Sequence, residues 1–171
     1  MKTIPFGLPS IDKEEINAVK RVIESKWIGS GPITQDFENK FTKYKKSKYS
    51  LSVNSCTAGL HLSLIVLGVK HGDEVITTPL TFCSTINSIL LVGAKPVLVD
   101  IDKKTFNFDE NKIEEKITKK TKALIVVHYA GLPCNMYPIL KIAKKHNLKI
   151  IEDCAHAIES KYYKKNVGNF G

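Results

Sequence analysis

An α/β fold with a mostly parallel sheet flanked by helices is predicted by two features of the sequence. From Tyr49 onward, short apolar segments alternate with stretches of helical periodicity, the order that places helices over a parallel sheet. Some of the short segments, such as Leu124-Ile125-Val126-Val127, are apolar without interruption, as a strand buried on both faces requires.

The elements follow in chain order. Ser10 can cap a helix over residues 11–25, with Ile11, Ile16, Val19, Val22 and Ile23 on one face. Lys26-Trp27-Ile28-Gly29-Ser30-Gly31-Pro32 then breaks regular structure with two glycines and a proline. Thr34 can cap a second helix to about Lys45, with Phe37 and Phe41 four apart. Strands are expected at 50–53, 74–77, 96–99, 123–127 and 149–152, and helices at 57–67, 84–91, 110–117 and 136–146. Asp109 and Asn135 are placed to cap the last two helices. After Asp153 no further cap or closing element is evident, and the chain is expected to be part of a longer architecture. The expected division is an N-terminal helical segment, 1–47, and a partial α/β domain, 48–171.

Composition narrows the class. The chain has 171 residues, 43% of them hydrophobic and 25% charged, which fits a globular domain and excludes collagen-like, disordered and disulfide-dense classes. No apolar run reaches the ~18 residues of a membrane span, and the start lacks a secretory pattern, so a cytoplasmic protein is expected. The net charge of +9 is carried by lysines spread along the chain, with Arg21 the sole arginine. A nucleic-acid surface concentrates charge and favours arginine, so this reads as a solvated surface. Cys56, Cys83, Cys134 and Cys154 form no CxxC pair, which argues against a metal site. Cys56, Cys83 and Cys154 are expected to pack as small hydrophobes in a reducing compartment.

Three segments fall beyond strand ends, where ligands gather in open α/β sheets. In Asn54-Ser55-Cys56-Thr57-Ala58-Gly59, small residues and a helix start suit an anion, although Ser55 or Thr57 would equally serve as a plain cap. Phe82 is either core or a face for a planar ring. Asp153 is either a turn former or a carboxylate for a protonated ring nitrogen, with His156 in reach of the same ligand. His128, ending its own strand, is a pocket residue or a packed histidine. Together these describe a site for a flat, phosphorylated, nitrogen-containing ring such as pyridoxal phosphate.

The motif order resembles the N-terminal half of the DegT/DnrJ/EryC1/StrS family of pyridoxal-phosphate-dependent sugar aminotransferases. The matching stretches are Trp27–Pro32, Asn54–Ala58, Gly72–Ile76 with Thr81-Phe82, Gly93–Val97, Val99–Asp102, Val127-His128 and Ile151–Ala157. The resemblance implies an aspartate aminotransferase-like large domain of fold type I, truncated before the C-terminal domain. It implies that Ser55, Cys56, Thr57 and Ala58 hold the cofactor phosphate, that Phe82 stacks on the ring, that Asp153 pairs with the ring nitrogen and that His156 lies near the ring hydroxyl. Trp27, Gly29, Ser30, Gly31 and His128 would border the substrate. The implied cofactor is pyridoxal 5'-phosphate, with pyridoxamine 5'-phosphate as its amine form. The implied partners are a nucleotide-linked keto sugar, an amino-acid donor such as glutamate, and a second copy in a homodimer. The family's Schiff-base lysine is expected beyond Gly171, so an inactive fragment is expected. The alternatives are a pyridoxamine-phosphate-dependent sugar dehydratase and a non-catalytic ligand-binding or interaction module.

Overall fold

The computed structural model describes residues 7–171, and its contacts divide into two units. The first comprises the residues up to Tyr44 with Lys48–Ser52. Helix α1 (Lys13–Glu24) starts at Asp12, not Ser10, because Asp12 and Glu15 form a capping box. The Asp12 carboxylate accepts the Glu14 N–H, and Glu15 accepts the Asp12 N–H, each at 2.8 Å. Its predicted apolar face is present, but Ile16, Val19 and Ile23 remain exposed. Helix α2 (Pro32–Lys45) begins two residues before Thr34, since a proline at the first helical position has no N–H to lose. Phe37 and Phe41 stack along it, ring centres 5.8 Å apart.

The strand expected at 50–53 does not form. The Ser52 N–H and hydroxyl both go to the Glu38 carboxylate at 2.7 Å instead of to a sheet ladder.

The second unit, Lys45–Ser47 with Val53–Gly171, holds the sheet. Its elements are α3 (Cys56–Val66), β1 (Glu74–Thr77), α4 (Cys83–Leu91), β2 (Lys95–Leu98), β3 (Thr121–Val127), α5 (Met136–Lys145) and β4 (Lys149–Asp153). The strands run parallel in the order β2-β1-β3-β4. Pro96, which cannot donate to a ladder, sits on the edge strand β2. Alternation splits the strand residues between two cores. Val75, Ile125 and Ile151 pack with Leu60, Leu64 and Ile89 of α3 and α4. Ile76, Leu124 and Val126 pack with Ile113, Met136 and Ile139. Both faces are therefore covered, the reason these strands read as continuous apolar runs.

The helix expected at 110–117 breaks into two 3-10 turns, Glu110–Lys112 and Glu114–Lys116. Ile113 alone is buried there, too little apolar surface to hold a longer helix. Asp109 caps the first turn through the Asn111 N–H. Asn135 does not cap α5; its amide nitrogen donates to Glu110 and its oxygen accepts from the Tyr162 hydroxyl. A short hairpin of β5 (Lys161–Tyr162) and β6 (Lys165–Asn166) follows, unanticipated from the sequence. Tyr163 and Lys164 carry the positive φ that such a two-residue turn needs. Among the lysines expected to be solvated, Lys45 at the end of α2 is not: it is 6% exposed and donates to the Ile158 carbonyl at 2.9 Å.

Candidate active site

The carboxyl ends of the strands and the start of α3 meet at Asp153. It is the last residue of β4, lies on the α3–α4 face and is 6% exposed. Oδ2 accepts from the Thr85 hydroxyl at 2.9 Å, and Oδ1 accepts from the Ala155 N–H at 3.2 Å and the Cys56 thiol at 3.7 Å. Thr85 is in turn 2.8 Å from the Thr81 hydroxyl. No cation pairs with Asp153 among the described residues: every group that meets it is a neutral donor. A buried carboxylate with neutral donors and no counter-charge suits a cationic ligand atom.

The Cys56 contact joins that carboxylate to the first residue of α3. Ser55 is the helix cap, its hydroxyl accepting the Ala58 N–H at 3.1 Å. The amides of Cys56 and Thr57 come earlier in the first turn, where no intrahelical acceptor exists, and the helix end adds partial positive charge. An anionic group would therefore be favoured within one residue of the carboxylate's neighbour. Desolvation of the Cys56 thiol, and then the nearby Asp153 charge, push its pKa up, so it stays a neutral donor.

Phe82 precedes α4, three residues before Thr85, and is 75% exposed. Of its two readings, core and open ring face, the second is what its position offers. His156 lies in the exposed turn after β4. Trp27, Gly29, Ser30 and Gly31 belong to the first unit, where the Trp27 indole donates to the Ser30 carbonyl at 3.0 Å. A Cβ on Gly31 would lie 2.5 Å from that indole, which explains the glycine.

His128 is not available to a substrate. It is 1% exposed, its Nδ1 accepts the Cys134 N–H at 3.1 Å, and its Nε2 is 3.2 Å from Glu152 Oε2. Burial of a histidine at a strand end is legible only once the strand's neighbours are known. The cysteine expectation also changes. Cys134 is the buried thiol, while Cys56 and Cys83 are exposed at helix starts. Thr85 went unrecognised in the sequence; it lies in the first turn of α4, its hydroxyl 2.8 Å from that of Thr81 in the loop just before the helix.

His128, Glu152 and Cys154 bring metal-ligand atoms within 4.8 Å of one another. Glu152 is already surrounded by N–H donors from His128, Gly168, Phe170 and Gly171. Burial raises its pKa, but these donors bring it below the ordinary value. Such a cluster is closed by hydrogen bonds without an ion. No helix among the described residues is long and apolar enough to cross a membrane.

The sequence profile of the DegT/DnrJ/EryC1/StrS aminotransferase family matches residues 9–171. The chain is 46% identical over 168 residues to the spore coat polysaccharide biosynthesis protein SpsC of Bacillus subtilis, covering 98% of this chain and 43% of that protein. Its fold matches the crystal structure of the aminotransferase from Psychrobacter cryohalolentis with a TM-score of 0.92 at 40% identity, over 96% of this chain and 42% of that one. It also matches NtdA from Bacillus subtilis, solved with bound cofactor PMP, with a TM-score of 0.89 at 34% identity, over 97% of this chain and 40% of that one. The chain spans less than half the length of the curated relatives it matches.

Proposed function

Because the chain belongs to the DegT/DnrJ/EryC1/StrS aminotransferase family, we propose that it forms the cofactor-binding half of a sugar aminotransferase. That family is pyridoxal-phosphate-dependent. In this reading Asp153 holds the proton on the ring nitrogen, the Ser55–Ala58 turn takes the phosphate through the Cys56 and Thr57 amides and the Ser55 and Thr57 hydroxyls, Phe82 covers the ring and His156 faces its hydroxyl. The observation that carries the reading is the 3.7 Å contact between Cys56 Sγ and Asp153 Oδ1, which sets an anion-seeking helix start beside a cation-seeking carboxylate.

When bound, the cofactor supplies an electron sink that stabilises negative charge at the substrate carbon. The protein's part is positional. Thr85 and the Ala155 N–H fix the Asp153 oxygens, so that the carboxylate meets the nitrogen without rearranging. Trp27, Gly29, Ser30 and Gly31 border the substrate, a nucleotide-linked keto sugar that accepts an amino group from glutamate in polysaccharide or deoxyamino-sugar synthesis. The enzyme works as a homodimer in the cytoplasm.

The proton-moving base is assigned to the part of the relatives' length outside the match. Lys161, Lys164 and Lys165 are exposed on the hairpin, and Lys45 is committed to the Ile158 carbonyl. The test is calorimetric titration with pyridoxal 5'-phosphate. Asp153→Ala should weaken binding about 10- to 150-fold, the loss of one charge-assisted hydrogen bond. Unchanged affinity overturns the assignment. Release of 2-oxoglutarate from glutamate tests the donor.

A further inference from the structure

The described residues contain a second buried carboxylate one position from Asp153, on the opposite face of the sheet. Alternation along β4 sends Ile151 and Asp153 toward α3 and α4, and Ile150 and Glu152 toward the other core. Glu152 therefore cannot reach a ligand held by Asp153. Its side chain is nevertheless 2% exposed and that of His128 is fully buried. Oε2 accepts from His128 Nε2 at 3.2 Å and from the Gly168 N–H at 2.8 Å. Oε1 accepts the N–H groups of Phe170 at 2.6 Å and Gly171 at 2.9 Å.

His128 is fixed in turn. Its Nδ1 accepts a backbone N–H, so the proton of the neutral ring must sit on Nε2 and point at Glu152. Its own N–H donates to the Asp153 carbonyl at 3.2 Å. One residue thus grips both of the last two residues of β4, through its ring and through its backbone. The turn at 168–171 closes the arrangement: a Cβ on Gly171 would fall 2.6 Å from the Ile150 carbonyl, so that backbone lies directly against β4. Burying a carboxylate and a histidine on a face with no ligand is costly unless their hydrogen bonds are complete, and here they are.

We propose that His128 and Glu152 are positioning residues that fix the end of β4, and with it the direction of the Asp153 carboxylate, without touching the cofactor. This rests on the reading that Asp153 meets the ring nitrogen. The pair acts through backbone: without it, the β4 terminus and the 168–171 turn lose their shared anchor and Asp153 loses its fixed aim.

The experiment uses the full chain. In the cofactor-free protein, Glu152→Gln should speed amide exchange at Gly168, Phe170 and Gly171 by about tenfold or more, whereas Asp153→Asn should leave those amides unchanged. Titrated with pyridoxal 5'-phosphate, Glu152→Gln should bind about tenfold more weakly, the usual scale for removing a group that orients a ligand contact. His128→Gln keeps a donor at the ε position and should bind more tightly than His128→Asn, which cannot reach Glu152. In the unsubstituted protein near neutral pH, the ring 15N shifts of His128 should show a protonated Nε2 and a bare Nδ1; this holds even if a variant fails to fold. The opposite tautomer, or equal affinities for the two His128 variants, overturns the proposal. If Asp153→Asn weakens the titration and Glu152→Gln does not, the positioning role alone falls. If Asp153→Asn binds like the parent, the reading of Asp153 falls and takes the positioning role with it.

Discussion

Replacing Thr85 with valine removes the hydroxyl that donates to Asp153 Oδ2, at 2.9 Å, and changes little else in shape. Thr85 is fully buried, so no water takes the vacated position. Hydrogen bonds to a charged group contribute ~1.5–3 kcal/mol. Against that loss, burying a methyl in place of a hydroxyl returns roughly 0.5–1 kcal/mol. The partner hydroxyl of Thr81 is half-buried and regains water, which adds little. The net expectation for Thr85→Val is a destabilisation of about 1–2 kcal/mol, or a fall of roughly 2–8 °C in melting temperature for a chain of this size. A single variant mixes these contributions, so the assay is a double-mutant cycle in urea with Thr85→Val, Asp153→Ala and the double variant. Cavity and desolvation costs cancel in the cycle, leaving a coupling of ~1.5 kcal/mol or more between the two side chains. A coupling below about 0.5 kcal/mol would show that Thr85 does not hold the carboxylate, and the account of a pre-set Asp153 would fail.

Three further outcomes follow from the same contacts. Leu64 is fully buried between α3 and the sheet, so Leu64→Ala should cost ~2–5 kcal/mol by urea unfolding; a loss under ~1 kcal/mol would mean that core is loosely packed. Burial drives the Cys134 and Cys154 thiols up to about 12, whereas Cys83 is exposed, so iodoacetamide at mild alkaline pH should label Cys83 first and reach Cys134 only on unfolding, as read by mass spectrometry. The folded pKa of Glu152 lies below its ordinary 4.5, so its stabilising contribution is complete above that value and fades as pH falls through the folded one; urea midpoints measured from pH ~6 to ~3 should drop less steeply in Glu152→Gln than in the parent.

Much of the fold was readable because periodicity reports burial directly. The run Leu124–Val127 sits between two covered faces, as its unbroken apolarity predicts. Where expectation failed, a competing local bond had won. Asp12 outbid Ser10 through a reciprocal partner in Glu15, and Ser52 gave its donors to Glu38 instead of a neighbouring strand. Residues 110–117 carried a helical pattern, but only Ile113 is fully buried there, with Ile117 half-buried against the same core. At the candidate site, a contact joins Asp153 to Cys56 of the Ser55–Ala58 turn, nearly a hundred residues away, as reading the separate signals as one ligand site requires. Thr85 was missed because a threonine inside a helix is ordinary until a carboxylate is known to face it.

The local chemistry belonged to the sequence alone: which segments are apolar, where helices can start, which residues offer a carboxylate, an aromatic face or a free amide. Whether a given polar group is spent inside the protein or left for a ligand was settled only by packing. His128 and Asp153 both end strands and are both buried, yet the first has its ring nitrogens engaged by protein and the second meets only neutral donors among the described residues. That difference arises from which side chains the parallel sheet brings up from distant positions. Hydrogen bonding and desolvation act over a few ångströms in space, whatever the separation along the chain.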